Sequence, residues 1–86
     1  MTPKQITETA ALMVVQMRAA NTAYRNLDSF DSTGSDEDEQ RVRNLKWYVG
    51  IEQGRLDMLA STIQATVGYD WYTVITKVAH AEWPNQ

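Results

Sequence analysis

The sequence predicts an all-α protein in which two long helices form an antiparallel hairpin, a short third helix follows, and the chain assembles into a homo-oligomeric helical bundle. Three observations predict this fold. Apolar residues recur at steps of three and four through two long segments, the two patterns are mirror images, and each segment carries a second apolar face. Because chains divide into separate cores only well above this length, we expect residues 1–86 to form one helical domain.

The first helix is predicted at about residues 3–27. Thr2 followed by Pro3 and Gln5 is typical of a helix start, because the hydroxyl and the amide can bond backbone N–H groups that have no partner within the helix. An apolar seam then repeats at alternating steps of four and three, the period of helices that pack side by side. The seam consists of Ile6, Ala10, Met13, Met17, Ala20, Tyr24 and Leu27.

An acidic loop is predicted at residues 28–35, and a second helix at about 36–67. Short polar side chains that bond their own backbone dominate the loop, and Ser35 stands where a helix cap is expected. Four carboxylates follow in the first turn, where each offsets the positive end of the helix dipole by roughly 0.3–1 kcal/mol at low salt. The seam of this helix consists of Val42, Leu45, Val49, Glu52, Leu56, Leu59 and Ile63.

The two seams together predict the antiparallel hairpin. When Leu27 is set opposite Val42 and the other pairs follow in order, the two residue numbers of every pair add up to 69, as far as Ile6 and Ile63. Only an antiparallel arrangement gives a constant total. Small residues also tend to lie opposite larger ones, as interdigitating layers require.

The third helix is predicted at about residues 71–83. Gly68 is typical of a helix end, Asp70 would cap the next helix, and Pro84 marks the point before which that helix must finish. We expect its buried stripe to contain Trp71, Val74, Ile75 and Val78, its exposed stripe to contain Thr73, Lys77 and His80, and Trp83 to lie at its end.

Both long helices have a second apolar face, which predicts self-association. It consists of Ala11, Leu12, Val15 and Ala19 on the first helix and of Trp47, Gly50, Ile51, Gly54, Met58 and Ala65 on the second. A helix of about 14 residues spans only ~20 Å, so the third helix can cover part of this surface at most. Because contiguous exposed apolar patches usually mark interfaces, we expect a homodimer or a higher oligomer.

The charge distribution predicts a second kind of partner. Six of the eleven carboxylates lie within residues 28–39, while the rest of the chain has eight basic side chains and five acids. The block either docks on a protein with a basic surface, which is the favoured interpretation, or serves only as helix cap and solubilising charge. The predicted partner site joins these acids to one face of the second helix: Asp31, Asp36, Glu37, Asp38, Glu39, Trp47, Gly50, Ile51, Gly54 and Met58.

Two features of the second helix leave alternatives open. Gly50 and Gly54 each cost about 1 kcal/mol relative to Ala in a helix interior. Either these glycines allow a partner to approach the backbone closely, or they make room for the side chain of Trp71 or Trp83 of the same chain. Glu52 is the one charged member of the seam and needs a partner if buried. It forms either a structural ion pair with Arg55 or Arg18, or a polar pocket together with Arg18, Gln16 and Tyr48.

The composition excludes several function classes. The chain has no cysteine and one histidine, and no nucleophile, base and orienting group can be assembled, so we expect no enzyme, metal site or cofactor. No basic stripe with a reading helix is present, so direct binding to nucleic acid is not expected. No signal peptide or membrane span fits the sequence, so we expect a cytoplasmic protein that does not bind membranes.

The predicted function is stoichiometric binding to another macromolecule, as an adaptor or inhibitor of the kind that phages and mobile elements commonly encode. The alternative is an oligomer that sequesters a small anionic ligand, such as a nucleotide, between protomers by aromatic stacking and cationic contacts. The residues for this alternative are Arg18, Arg25, Lys46, Tyr48, Glu52 and Arg55.

Overall fold

Three α-helices form the chain in the computed structural model, which describes residues 1–31 and 33–82. They are α1 (Pro3–Ser29), α2 (Asp36–Val67) and α3 (Tyr69–Glu82). No strand occurs within the described residues, and the predicted all-helical class is confirmed. Residue 83, where the third helix was predicted to end with Trp83, lies outside the described residues. None of the described helices contains a stretch that is long and apolar enough to cross a membrane.

The start of α1 has the predicted capping box. The backbone N–H of Gln5 donates to Thr2 Oγ1 at 3.2 Å, and the backbone N–H of Thr2 donates to Gln5 Oε1 at 2.9 Å. At the other end α1 continues two residues beyond the predicted boundary, to Ser29. Phe30 ends it with extended backbone, and its N–H donates to the Leu27 carbonyl at 3.3 Å.

Gly68 ends α2 and also begins α3. Its φ of 89° is one that residues with a side chain rarely adopt, and its N–H donates to the Gln64 carbonyl at 2.9 Å. Its own carbonyl accepts from the N–H of Tyr72 at 3.0 Å, so α3 starts at Tyr69, two residues earlier than predicted. The prediction that Asp70 caps α3 is wrong, because Asp70 lies within its first turn.

The core is a cluster to which all three helices contribute. Six buried side chains form it, and seven partly buried apolar side chains surround them. The buried members are Ala10, Met13, Val14, Ile63, Ile75 and Ala79, and the partly buried ones are Met1, Ile6, Met17, Leu59, Val67, Tyr72 and Val78. Of these, the α1 members come from its first fifteen residues and the α2 members from its last third.

Two predictions about buried side chains are wrong. Trp71 and Val74 are 39% and 40% exposed, because α3 turns Ile75 and the small Ala79 into the core, which lets the helix approach closely. Tyr24, a predicted member of the first seam, is 44% exposed. It lies beyond the reach of α3, whose last residue, Glu82, shares a cleft with Arg18.

The molecule is long and thin. Its principal extents are 53 × 26 × 14 Å and its radius of gyration is 16.1 Å, whereas a compact domain of this length would have about 12 Å. The accessible surface is 6056 Å², roughly 900 Å² more than a folded monomer of this mass exposes. The excess arises because α3, about 21 Å long, covers only part of α1 and α2, which span about 40 and 48 Å.

Candidate interaction surfaces

One candidate surface is the side of α2 that points away from its seam. Residues at alternating steps of four and three form this surface, all of them exposed, and we call it the outer ridge. It consists of Asp36, Gln40, Arg43, Trp47, Gly50 and Gly54. Trp47 is the largest apolar side chain on it and is 62% exposed. The ridge therefore presents one acid, Asp36, at the start of α2, and an aromatic side chain followed by open backbone further along.

The two glycines of the ridge have no packing role within the described residues. A Cβ atom added at Gly50 or at Gly54 would have no neighbour within 4 Å there. The interpretation that they accommodate Trp71 is therefore wrong, because Trp71 does not approach them. Trp83, the other side chain proposed for this place, lies outside the described residues. Contacts within the described chain therefore do not explain why two glycines stand here, although each costs helix stability relative to alanine.

Two of the five predicted acids are engaged within the chain. The hydroxyl and the backbone N–H of Thr33 donate to the Asp38 carboxylate, the latter at 2.7 Å, and tie the loop to α2. These bonds, aided by the charge of Arg41, hold the pKa of the Asp38 carboxyl below its usual value. Glu39 forms an exposed ion pair with Arg43 at 3.9 Å.

The other three predicted acids, Asp31, Asp36 and Glu37, are exposed. Within residues 1–31 and 33–82 they form no ion pair. Asp36 and Glu37 lie in the first turn of α2, at the start of the outer ridge. Of the five predicted acids, these three carboxylates are therefore the ones available to an external partner.

The second candidate surface is an open groove between α1 and α2, of about 620 Å³. It joins late residues of α1 to early residues of α2, and no described residue of α3 lines it. The lining residues are Arg18, Ala19, Thr22, Ala23 and Asn26 from α1 and Leu45, Tyr48 and Glu52 from α2. Its α1 wall is formed mainly by small side chains, whereas its α2 wall includes an aromatic ring.

Glu52 lies at the edge of this groove with its side chain 18% exposed. Its carboxylate accepts from Gln16 Nε2 at 2.8 Å and from Arg55 Nη1 at 3.2 Å, and the same Gln16 amide also donates to the Glu52 backbone carbonyl at 2.9 Å. The predicted ion pair with Arg55 is present. Among the described residues Arg18 forms no ion pair with Glu52, although both line the groove.

The structure brings together three of the six residues predicted for an anionic ligand, namely Arg18, Tyr48 and Glu52. Lys46 instead lies in a shallow depression beside Glu39. Arg25 and Arg55 are exposed and do not line the groove. The cationic groups of the predicted set are therefore dispersed rather than focused on one point.

Sequence reasoning missed most of the α1 wall, because Thr22 and Asn26 are polar and were not counted in the second apolar face. The signal that could have found them is spacing alone. With Leu12, Val15 and Ala19 they repeat at steps of three and four, as the seam does.

Trp47 and Tyr48 connect the two candidate surfaces. Their rings are in edge-to-face contact, with centroids 5.2 Å apart and planes at 71°. Trp47 belongs to the outer ridge and Tyr48 to the groove. Within residues 1–31 and 33–82, no group of three or more acidic or histidine side chains could hold a metal ion. Comparison of the chain with protein families, curated proteins and solved structures finds no match in any of the three.

Proposed function

We propose that the protein acts by stoichiometric binding to another macromolecule, as a non-enzymatic adaptor or inhibitor, through the outer ridge of α2. The exposure of the Trp47 side chain is the observation on which this proposal rests. Its side chain is 62% exposed, and the glycines that follow it leave the backbone of α2 open on the same side. Tryptophan is enriched among the residues that dominate binding energy, and bare helix backbone lets a partner approach closely.

The acids at the start of the ridge indicate a partner with a basic surface. Asp31, Asp36 and Glu37 are exposed and form no ion pair within the described chain. Exposed charges at the rim of an interface act chiefly on the rate of association, because they steer an oppositely charged surface during encounter. We assign docking to these three acids and affinity to the region around Trp47.

The proposal includes the arrangement of the helices. We propose that α1 and α2 form an antiparallel hairpin and that the chain forms a homo-oligomer. The hydrogen bond between Gln16 and Glu52 supports the hairpin, because their residue numbers total within one of 69. The core contact of early α1 with Ile63 supports it as well. The excess exposed surface of roughly 900 Å² supports self-association, since it equals about one side of a standard protein interface.

One observation favours the second candidate function, sequestration of a small anionic ligand. The groove has a volume of about 620 Å³, within the range of small-molecule sites, and contains Arg18 beside Tyr48. Mass spectrometry of small molecules released from the purified protein separates the two functions. A stoichiometric phosphorylated compound that is lost on Arg18→Ala would favour the ligand.

Capture experiments with matched tryptophan variants test the proposed function. Trp47 and Trp71 are both exposed, but only Trp47 lies on the outer ridge. Proteins from the native host that bind the wild type and Trp71→Ala, but are lost with Trp47→Ala, are the expected result. For the purified partner we expect Trp47→Ala to weaken binding about thirtyfold, the effect of removing a hot-spot side chain. Equal binding by the two variants would contradict the proposal.

A further inference from the structure

The groove is part of a longer pair of stripes on α1 and α2. At steps of three and four, the α1 stripe is Leu12, Val15, Ala19, Thr22 and Asn26, and the α2 stripe is Asn44, Tyr48, Ile51, Arg55 and Met58. When the two are set opposite each other in reverse order, the two residue numbers of every pair add up to 70, from Leu12 with Met58 to Asn26 with Asn44. The two stripes are therefore matched in register, as the seams are.

The rest of the described chain leaves Leu12, Val15 and Met58 of the stripes exposed, whereas Ala19 and Ile51 are partly buried. Leu12 and Val15 are 60% and 64% exposed, and Met58 is 72% exposed. Most of the third helix lies elsewhere, because its Tyr72, Thr76 and His80 share a cleft with residues that include Asp57 of α2. Its last residue, Glu82, lies in a cleft with Val15 and Arg18, at the edge of the α1 stripe. At 100° per residue, Asp57 points nearly opposite to Arg55 of the α2 stripe.

The exposed area is sufficient for an interface between two copies. The chain exposes roughly 900 Å² more than a folded monomer of its mass, and a standard interface buries about 800 Å² on each partner. The exposed surface area, the matched register of the two stripes and their exposed apolar side chains all indicate that a second copy of this chain covers the face.

We infer that a second copy of this chain covers the groove, in a two-fold dimer whose axis runs parallel to α1 and α2. The inference rests on the self-association and the antiparallel hairpin proposed above and names the surface that carries the association. A rotation about this axis places α1 of each copy opposite α2 of the other, at equal heights. Leu12 then faces Met58 of the partner subunit, and Ala19 faces Ile51 of the partner subunit.

The side chains at two of the five pairs are complementary in size. Ala19 and Thr22 of one copy lie opposite Ile51 and Tyr48 of the partner subunit, so a small residue meets a large one at both positions. Because the contact is isologous, each pair occurs twice in the dimer. Glu52 does not oppose this packing, since its carboxylate already accepts from Gln16 and Arg55.

Mixing two single-cysteine variants tests the pairing. The chain has no native cysteine, so Leu12→Cys and Met58→Cys each carry one thiol. Under mild oxidation we expect the mixture to form disulfide-linked dimers faster than either variant alone, because the inferred axis brings position 12 of one copy to position 58 of the other. If Leu12→Cys alone links as fast as the mixture, α1 faces α1 and the inferred axis is wrong.

An arginine substitution tests the surface independently. Light scattering should give the wild type twice the 9.8 kDa mass of one chain, and Ala19→Arg should reduce the mass to that of a monomer with unchanged helical circular dichroism. Gln64→Arg, at an exposed position of α2 that points opposite to Arg55 of the α2 stripe, should remain dimeric. A dimer that survives Ala19→Arg overturns the groove assignment but leaves self-association intact. A monomeric wild type overturns both and leaves binding by the outer ridge to be judged by the Trp47→Ala result.

Discussion

Gln16 on α1 and Glu52 on α2 are joined by two hydrogen bonds from one amide group, which donates to the Glu52 carboxylate at 2.8 Å and to the Glu52 carbonyl at 2.9 Å. The contact links the two long helices, and neither residue belongs to the core cluster. A polar side-chain contact therefore adds to the apolar packing between α1 and α2.

The first prediction concerns this contact. Replacing Gln16→Ala removes both hydrogen bonds and leaves a largely buried carboxylate with Arg55 as its remaining partner. We expect the free energy of unfolding in urea to fall by about 1–3 kcal/mol. Gln53→Ala removes an exposed amide bonded only to Asp57 one turn away, and should cost less than about 0.5 kcal/mol. Equal losses for the two variants would show that the interhelical bonds do not contribute.

The second prediction concerns pH. The pKa of Asp38 is lowered in the folded chain, chiefly by the hydrogen bonds from Thr33. A carboxyl of this kind stabilises the fold above its unfolded pKa of about 3.9, and the contribution is lost as the pH falls through the folded pKa. We expect Asp38→Asn to unfold at lower urea than the wild type at pH 7, with the difference shrinking below about pH 4. Asp31→Asn, at a carboxyl without an ion pair among the described residues, should shift the midpoint little. A constant difference for Asp38→Asn down to pH 2 would contradict the role of this carboxylate.

The third prediction uses the glycines of the outer ridge. Because nothing described lies within 4 Å of an added Cβ, Gly50→Ala and Gly54→Ala should each stabilise the protein by about 1 kcal/mol, or roughly 4–8 °C in Tm. Gly68→Ala should destabilise it instead, because a φ of 89° is unfavourable for alanine. Partner affinity should fall in the two stabilised variants if the partner approaches the bare backbone. Unchanged affinity in both would remove the glycines from the binding site.

The fourth prediction tests the orientation of α3. Ile75 is fully buried, so Ile75→Ala should cost about 2–5 kcal/mol of unfolding free energy. Val74 precedes it and is 40% exposed, so Val74→Ala should cost less than about 1 kcal/mol. Denaturant titrations of the two variants give this comparison directly. Equal losses for the two variants would support the buried stripe expected from sequence, to which both side chains belong.

The fifth prediction concerns the free acids of the loop and the first turn of α2. Changing Asp31→Asn, Asp36→Asn and Glu37→Gln together should slow association with a basic partner and reduce its dependence on salt, while dissociation changes little. Asp38 and Glu39 are left intact because Thr33 and Arg43 engage them. Stopped-flow kinetics at two ionic strengths measure the effect. An unchanged association rate at low salt would show that these acids serve only as solubilising charges.

Local signals made several parts of the fold predictable. The capping box of Thr2 and Gln5 and the cap at Ser35 depend only on residues within one turn, so sequence alone locates those helix starts. The rotation of α3 could not be predicted in the same way. Apolar residues lie on most sides of that helix, and only the close packing of Ala79 decides which side is buried.

The candidate surfaces were predictable to different degrees. Trp47 and the glycines were found because an exposed aromatic and helix-interior glycines contradict ordinary helix composition. Arg18 and Ala19 of the α1 wall were named from sequence, whereas Thr22 and Asn26 were missed because they gave no hydrophobic signal. The internal role of Asp38 depends on how the loop folds back toward α2, which residue spacing does not reveal.

The torsions of Gly68 determine the direction of α3 relative to α2. No spacer separates α2 from α3, so the direction of the third helix depends on the torsions of this one glycine. Over an arm of about 21 Å, a 15° change at Gly68 would move the far end of α3 by about 5 Å. Such a swing would withdraw Ile75 and Ala79 from the core. The packing of these two side chains therefore fixes the angle between α2 and α3. A residue inserted next to Gly68 would free α3 from this angle even though no core side chain had been changed.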